Sequence, residues 1–316
     1  MSHFASFDLI ILFFLLGVFA SWVKSDLEVP ESASKFLSIY LLLSLGLKGG
    51  HEVQHAGDLT SVAASLGLGV LSCLLIPLAV FLIFKKKFGS ANAAGLAAAY
   101  GSVSAVTFVT AQSILQNQGI EFSGYMVAVM AIMEIPAILI AVFLYKKSSA
   151  DAATGSLGIL KYLASTKSVI LLAGGFLIGL VMNDRSWEGI SPVVQGLFKG
   201  ALAFFLLDLG VVAQKQLKEA LRYKLISLAI GFILPIGFGT LVLLAASAMG
   251  MSRGDTVLLA VLAGSASYIA APTAIRSSIP EANPGLYLAL PLALTFPFNL
   301  LVGISFYMEL SLILQR

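Results

Sequence analysis

The sequence predicts an all-α membrane protein: ten transmembrane helices in two inverted five-helix repeats, with the fourth and ninth helices broken and crossing. Three observations carry this. Of the 316 residues, 59% are hydrophobic and 11% charged, against about 25% charged in soluble domains, and mean hydropathy is +0.97. The basic residues fall on one side of the apolar segments. Motifs of the first half return in order in the second.

The segments run approximately from Phe4 to Trp22, Lys35 to Leu47, Leu59 to Phe84, Ala91 to Leu115, Gly124 to Tyr145, Ser168 to Met182, Val193 to Val212, Leu225 to Met249, Thr256 to Ser277 and Gly285 to Leu310. Most have the roughly 20 residues that cross a bilayer; the second and sixth are short. The first has no Lys or Arg before its apolar run, so it is read as a span and not as a signal peptide. The one stretch long enough to divide two halves is Lys146 to Lys167. The expected organisation is a first repeat over 1–145, a cytoplasmic linker over 146–167 and a second, inverted repeat over 168–316.

With ten spans the loops alternate sides. One side collects Lys24, Lys35, Lys85, Lys86, Lys87, Lys146, Lys147, Lys161, Lys167, Lys215, Lys218, Arg222, Lys224 and Arg276, which is 14 of the 19 basic residues. The other has Lys48, Arg185, Lys199, Arg253 and Arg316. The positive-inside rule then puts the linker in the cytoplasm and both termini outside.

Leu43-Ser-Leu-Gly46 returns as Leu207-Asp-Leu-Gly210, Gly101-Ser-Val-Ser104 as Gly264-Ser-Ala-Ser267, Thr110-Ala111 as Thr273-Ala274, and Ile135-Pro136 as Phe296-Pro297. The offset drifts only from 164 to 161. Each unit holds five spans, an odd number, so the second copy enters the membrane from the opposite side, as in secondary transporters with a site at the repeat interface.

The two Gly-Ser-x-Ser stretches lie near the middle of the fourth and ninth spans. Glycine, hydroxyls and, in the second, Pro272 write a continuous helix poorly. A break at that depth survives where it is buried in protein or lines a polar cavity. Two antiparallel broken helices would aim two half-helix N-termini, electropositive ends, at one spot suited to a small anion. The expected substrate-binding residues are Gly101, Ser102, Val103, Ser104, Gly264, Ser265, Ala266 and Ser267. Hydroxyls and unwound carbonyls could hold Na⁺, with Thr107, Glu134, Tyr268, Thr273 and Asn299 as expected sodium ligands. The alternative is that the small residues only let helices approach closely.

Glu134 lies halfway along the fifth span, where a carboxylate costs several kcal/mol unless it meets a partner, a cavity or an ion. It reads as a cation ligand or proton carrier; the alternative is a protonated acid bonding a nearby carbonyl. Asp208, within two turns of Lys215, reads as a helix-end residue that snorkels. Gly46-x-x-x-Gly50 and Gly175-x-x-x-Gly179 suit close helix packing, internal or between copies. Lys85 to Lys87 set topology and would meet anionic lipid headgroups. Cys73, the single cysteine, excludes a disulfide framework and a thiolate cluster.

His51-Glu-Val-Gln-His55 matches the zinc-protease pattern H-E-x-x-H. Gly49-Gly50 before it and Gly57-Asp58 after it disfavour a helix, and no third ligand follows at a recognisable spacing. The expectation is a solvated loop. No enzyme, metal centre, cofactor or nucleic-acid partner is expected; Na⁺ is cargo.

Leu45-Gly-Leu-Lys-Gly-Gly50, Tyr100-Gly-Ser-Val-Ser104, Met133-Glu-Ile-Pro-Ala137, Ala266-Ser-Tyr-Ile-Ala-Ala-Pro-Thr-Ala-Ile-Arg276 and Ile279-Pro-Glu-Ala-Asn-Pro284 together resemble the sodium-dependent bicarbonate transport family of bacterial permeases. The likeness spans nearly the whole chain. It implies a gate domain and a core domain, Na⁺-coupled bicarbonate uptake across the bacterial inner membrane, and trimers. The well-studied cyanobacterial members carry an aspartate where Tyr268 stands, a longer charged linker, and a partner regulator of the PII type. The rival readings are symport of another small anion or carboxylate and, behind it, cation/proton antiport.

Overall fold

The structure, a computed structural model, describes residues 9–54, 59–148 and 167–314, and these are helical with no strand among them. Helix α1 (Leu9–Trp22) is followed by α2 (Glu31–Gln54) and α3 (Leu59–Gly101). Gly89, at φ 79° and ψ 168°, breaks α3 into two arms, in the region of φ that glycine alone enters freely. Then come α4 (Ala105–Asn117), α5 (Met126–Met133), α6 (Pro136–Ser148), α7 (Lys167–Val181), α8 (Asp184–Ser191) and α9 (Phe198–Ala220). The chain continues in α10 (Leu225–Leu228), α11 (Leu234–Ala248), α12 (Arg253–Ala263) and α13 (Ala270–Ser278). Three π-helical stretches, Gly285–Ala289, Pro291–Thr295 and Asn299–Gly303, flank α14 (Phe296–Phe298) and lead to α15 (Ile304–Leu314).

Among the described residues five helical runs are long and apolar enough to cross a membrane: Thr60–Asn117, Met126–Ser148, Asp184–Tyr223, Leu225–Ala248 and Gly285–Leu314. Two shorter apolar helices, Ile10–Trp22 and Ile170–Val181, accompany them. Length and hydropathy pass over α2, which is polar at both ends, and α12 and α13, which a break keeps short. On the outside of the bundle Leu71, Leu75, Leu82, Ile83, Phe143, Leu177 and Leu241 are half or more exposed, a belt suited to lipid. The chain is a multi-pass membrane protein.

Glycine decides how the helices meet. α1 lies along α9, and a methyl group added at Gly17 would sit 2.0 Å from the Leu207 carbonyl oxygen. α2 lies along α7, and a methyl group at Gly179 would sit 2.2 Å from the Leu47 carbonyl oxygen. The Gly46/Gly50 and Gly175/Gly179 pairs thus face each other inside one chain. Lipid supplies no hydrophobic drive between helices, so close backbone contact of this kind holds them.

Helix α2 runs from Glu31 to Gln54, well beyond the expected Lys35 to Leu47. Lys35 sits 2.6 Å from Glu31 and Lys48 3.7 Å from Glu52, both i,i+4 pairs. The segment His51–Gln54 is therefore helical, not a solvated loop. Gly49 and Gly50 do not break it because they are contact points: a methyl group at Gly49 would meet Val127 at 2.5 Å and one at Gly50 the Phe176 carbonyl oxygen at 2.0 Å. His51 is buried, stacks on Trp187 at 4.4 Å, and places Nε2 3.3 Å from Asp184 Oδ1. His55 lies outside the described residues, as does most of the linker. No group of three or more His, Cys, Asp or Glu placed to hold a metal occurs among the described residues.

Asp208 also departs from expectation. It is half-buried within α9 and accepts a 2.5 Å hydrogen bond from the Ser34 hydroxyl of α2. It faces a neighbouring helix, where the Ser34 hydroxyl supplies a donor.

Candidate functional site

The helical ladder stops at Gly101 and resumes at Ala105; it stops again at Ala263 and resumes at Ala270. The two breaks meet. The Ser104 backbone N–H donates to Ser265 Oγ at 2.9 Å, and the Ser267 N–H donates to the Ala99 carbonyl at 2.8 Å. Each break thus satisfies a polar group that the other exposes, which is what lipid-depth backbone requires. Neither Gly101 nor Gly264 has a positive φ; both are packing requirements. A methyl group at Gly101 would lie 2.7 Å from Pro77 Cβ, and one at Gly264 2.3 Å from the Tyr307 hydroxyl.

Beyond each break a half-helix begins with its N-terminus at the crossing. Ser104 caps α4: its Oγ accepts from the Thr107 N–H at 3.2 Å and from the Thr107 hydroxyl at 2.9 Å. Ser267, two residues before the α13 N-cap Ile269, accepts from the Ala271 N–H at 3.2 Å. Hydroxyl caps at a helix start satisfy N–H groups that have no preceding turn.

A cavity of about 40 Å³ lies against these two N-termini. Val103, Ser104, Ala105 and Val106 form one wall, and Ser267, Tyr268, Ile269 and Ala270 another. Glu134, 7% exposed, closes a third side at the turn between α5 and α6. The fourth side comes from outside the broken pair: Ser38, Leu41, Leu42 and Leu45 of α2, with Leu202 and Phe205 of α9. The volume admits roughly two or three waters, or a solute of similar bulk.

Of the expected residues, Val103, Ser104, Glu134, Ser267 and Tyr268 line this cavity. Ser102 does not: its hydroxyl donates to the Glu134 carbonyl at 2.9 Å and ties the first break to the α5–α6 turn. Ser265 is taken up by the Ser104 N–H and by donation to the Leu262 carbonyl at 2.8 Å. Thr107 serves the α4 cap, and Ala266 is buried in the crossing. Thr273 lies one turn into α13, exposed, with its hydroxyl donated to the Ile269 carbonyl of its own helix; it stands apart from the cavity because the turn places it on the outer face. Asn299 is fully buried beside the second break, where Nδ2 donates to the Gly264 carbonyl at 2.9 Å.

Two buried polar atoms here have no hydrogen-bond partner among the described residues, the Tyr268 hydroxyl and Asn299 Oδ1. A buried polar group left so is uncommon and signals a missing solute or strain. Tyr268 packs edge-on against Phe296, ring centroids 5.3 Å apart.

Sequence reasoning missed the apolar wall. The signal was available, since Leu45 stands in the same repeated Leu-x-Leu-Gly motif whose second copy lies on α9. It also passed over Asp255, an acid 2% exposed in the first turn of α12. Its carboxylate accepts from the Ser123 N–H and hydroxyl, each at 2.7 Å, and from the Tyr125 hydroxyl at 3.2 Å. The Ser252-x-x-Asp255 spacing, a capping pattern, would have flagged it.

The family model of the Na⁺-dependent bicarbonate transporter superfamily matches residues 10–312. Among curated proteins no match was found.

Proposed function

The chain belongs to the Na⁺-dependent bicarbonate transporter superfamily, and from that premise we propose that it is a secondary active transporter carrying bicarbonate into the cell by symport with Na⁺. The observation that carries the proposal is the small cavity at the start of two half-helices. Two helix N-termini supply electropositive ends to an anion, and about 40 Å³ suits a solute of few heavy atoms better than an organic carboxylate. The anion would sit between Ser104 and Ser267.

Glu134 at the cavity wall, with Asn299 Oδ1 and the Tyr268 hydroxyl close behind the crossing, gives oxygen donors of the hard kind that Na⁺ prefers. In this reading no chemical bond is made. Transport follows from movement of the broken-helix core (α3 to α6 and α10 to α15) against the gate helices α1, α2, α7 and α9, whose residues form the fourth wall.

The inverted repeat belongs to the same proposal. Its support is reciprocal packing: Gly17 touches Gly210 and Gly175 touches Gly46, the pairs that exchange when the two halves are exchanged. Pro77 abuts Gly101 as Pro235 abuts Gly264. With ten spans, both termini outside and residence in a bacterial inner membrane, the lysine-rich face is cytoplasmic. The assembly is a homotrimer, as the resemblance implies, and a PII-like regulator is a further candidate partner.

The test is uptake of labelled bicarbonate into proteoliposomes under an imposed Na⁺ gradient. Sodium-driven accumulation by the wild type, reduced in Glu134→Gln with a shifted sodium dependence, is expected. Accumulation indifferent to sodium would overturn symport.

A further inference from the structure

A second cavity, of about 160 Å³, adjoins the first. It lies toward the C-terminal ends of α2 and α4 and the start of α9, the face poor in lysine. Its polar lining includes Lys48, Lys199, Gln112, Ser113 and Gln116, and no carboxylate stands among its described lining residues. Lys199 spends its ammonium on a neutral acceptor, Asn117 Oδ1 at 2.9 Å, so its charge stays uncancelled by that contact. Among the described residues Lys48 pairs with the Glu52 oxygen at 3.7 Å.

One group in this wall lacks a partner among the described residues: the Ser113 hydroxyl, 5% exposed as a residue, is buried without one. A buried hydroxyl ordinarily finds a partner; this one, in a wall that also carries Gln112, Lys48 and Lys199, describes a chamber suited to a polar solute of negative charge.

Leu45 and Val109 line both cavities. These shared side chains are apolar and stand at the boundary between the two cavities. We propose that the outer chamber is a loading site: a small oxyanion is held there, still partly hydrated, between Lys48 and Lys199, and sheds water as it passes Leu45 and Val109 into the inner cavity. This rests on the inner cavity being the anion site of a transporter. It goes further in assigning the direction of entry, from the lysine-poor side, and the residues that concentrate the anion. Lysines at the mouth of a low-dielectric cleft raise local anion concentration and on-rate, and the gain falls with ionic strength.

The test has two arms. In proteoliposomes, Lys48→Gln with Lys199→Gln should raise the bicarbonate KM about threefold to tenfold, leave maximal velocity near wild type, and flatten the dependence of uptake on ionic strength. Unchanged KM and salt dependence would overturn the proposal.

The second arm reads binding without transport. In a Cys73→Ala background, Gln116→Cys places a thiol in the chamber wall. Bicarbonate, with gluconate as control, should slow its labelling by a membrane-impermeant thiol reagent, and the lysine double variant should abolish the slowing. Protection absent from both, or equal in both, would overturn the loading site, since equal protection would come from the inner cavity alone. If the wild type shows no sodium-driven uptake, the transport reading fails, and the labelling arm still decides for or against the chamber.

Discussion

Removing the Ser265 hydroxyl should loosen the crossing on which the cavity depends. In Ser265→Ala the Ser104 N–H loses its acceptor, now 2.9 Å away, in a place where Ser104 is 4% and Ser265 1% exposed. The Leu262 carbonyl is less affected, since the Gly264 and Ser265 N–H groups also reach it. One orphaned buried donor costs about 1–3 kcal/mol in soluble proteins, and interhelical hydrogen bonds in membranes average about 0.6 kcal/mol with a maximum near 1.7. A loss of about 1–2 kcal/mol follows. The same N–H precedes the α4 start that forms one cavity wall, so sodium-driven uptake should fall several-fold as well. The assay pairs thermal unfolding of the purified protein in detergent with uptake into proteoliposomes. Ser277→Ala serves as control, because that exposed hydroxyl bonds only its own helix, to the Ala274 carbonyl at 2.9 Å. A Ser265→Ala protein matching Ser277→Ala in both measurements would refute the reasoning.

Other outcomes follow from the same geometry. Gly179→Ala, whose methyl group would stand 2.2 Å from the Leu47 carbonyl oxygen, should destabilise by about 1–3 kcal/mol or more, whereas Gly174→Ala, with nothing within 4 Å, should be neutral or slightly stabilising; equal melting temperatures would contradict the α2–α7 contact. Asp255→Asn keeps one acceptor oxygen for three donors and should lower stability by about 1–3 kcal/mol, read as a lower unfolding midpoint. Tyr268→Phe deletes a hydroxyl that meets no geometric hydrogen-bond partner among the described residues and should change stability little, while bicarbonate or sodium affinity drops in uptake assays; a variant transporting like wild type would remove Tyr268 from the site.

How far the sequence could be read differs by level. Helical breaks were legible because Gly-Ser-x-Ser written twice, 163 residues apart, contradicts a continuous buried helix in both copies. That the breaks touch was expected from the paired motifs, but which hydroxyl does what was not. Ser102 and Ser104 are two residues apart with the same chemistry; one ties down a turn and the other caps a helix beside the cavity, a difference set by the direction each side chain takes after the ladder ends. The His51 segment misled because Gly49-Gly50 reads as a helix breaker until one sees α7 and α5 pressed against it. In a membrane, glycine is as much a contact surface as a hinge, and a sequence taken one segment at a time cannot tell which. The apolar wall from α2 and α9 was hidden for a related reason: leucine facing a cavity and leucine facing lipid look alike.

The pairing of α1 with α9 and of α2 with α7 bears on how the molecule is made. Each early helix presents a glycine-lined face whose complement is translated more than a hundred residues later, so the first half leaves the ribosome with two unmet faces and cannot mature alone. Assembly waits for the second half, and a chain cut within 149–166 and supplied as two fragments should recover only when both are inserted in the same bilayer.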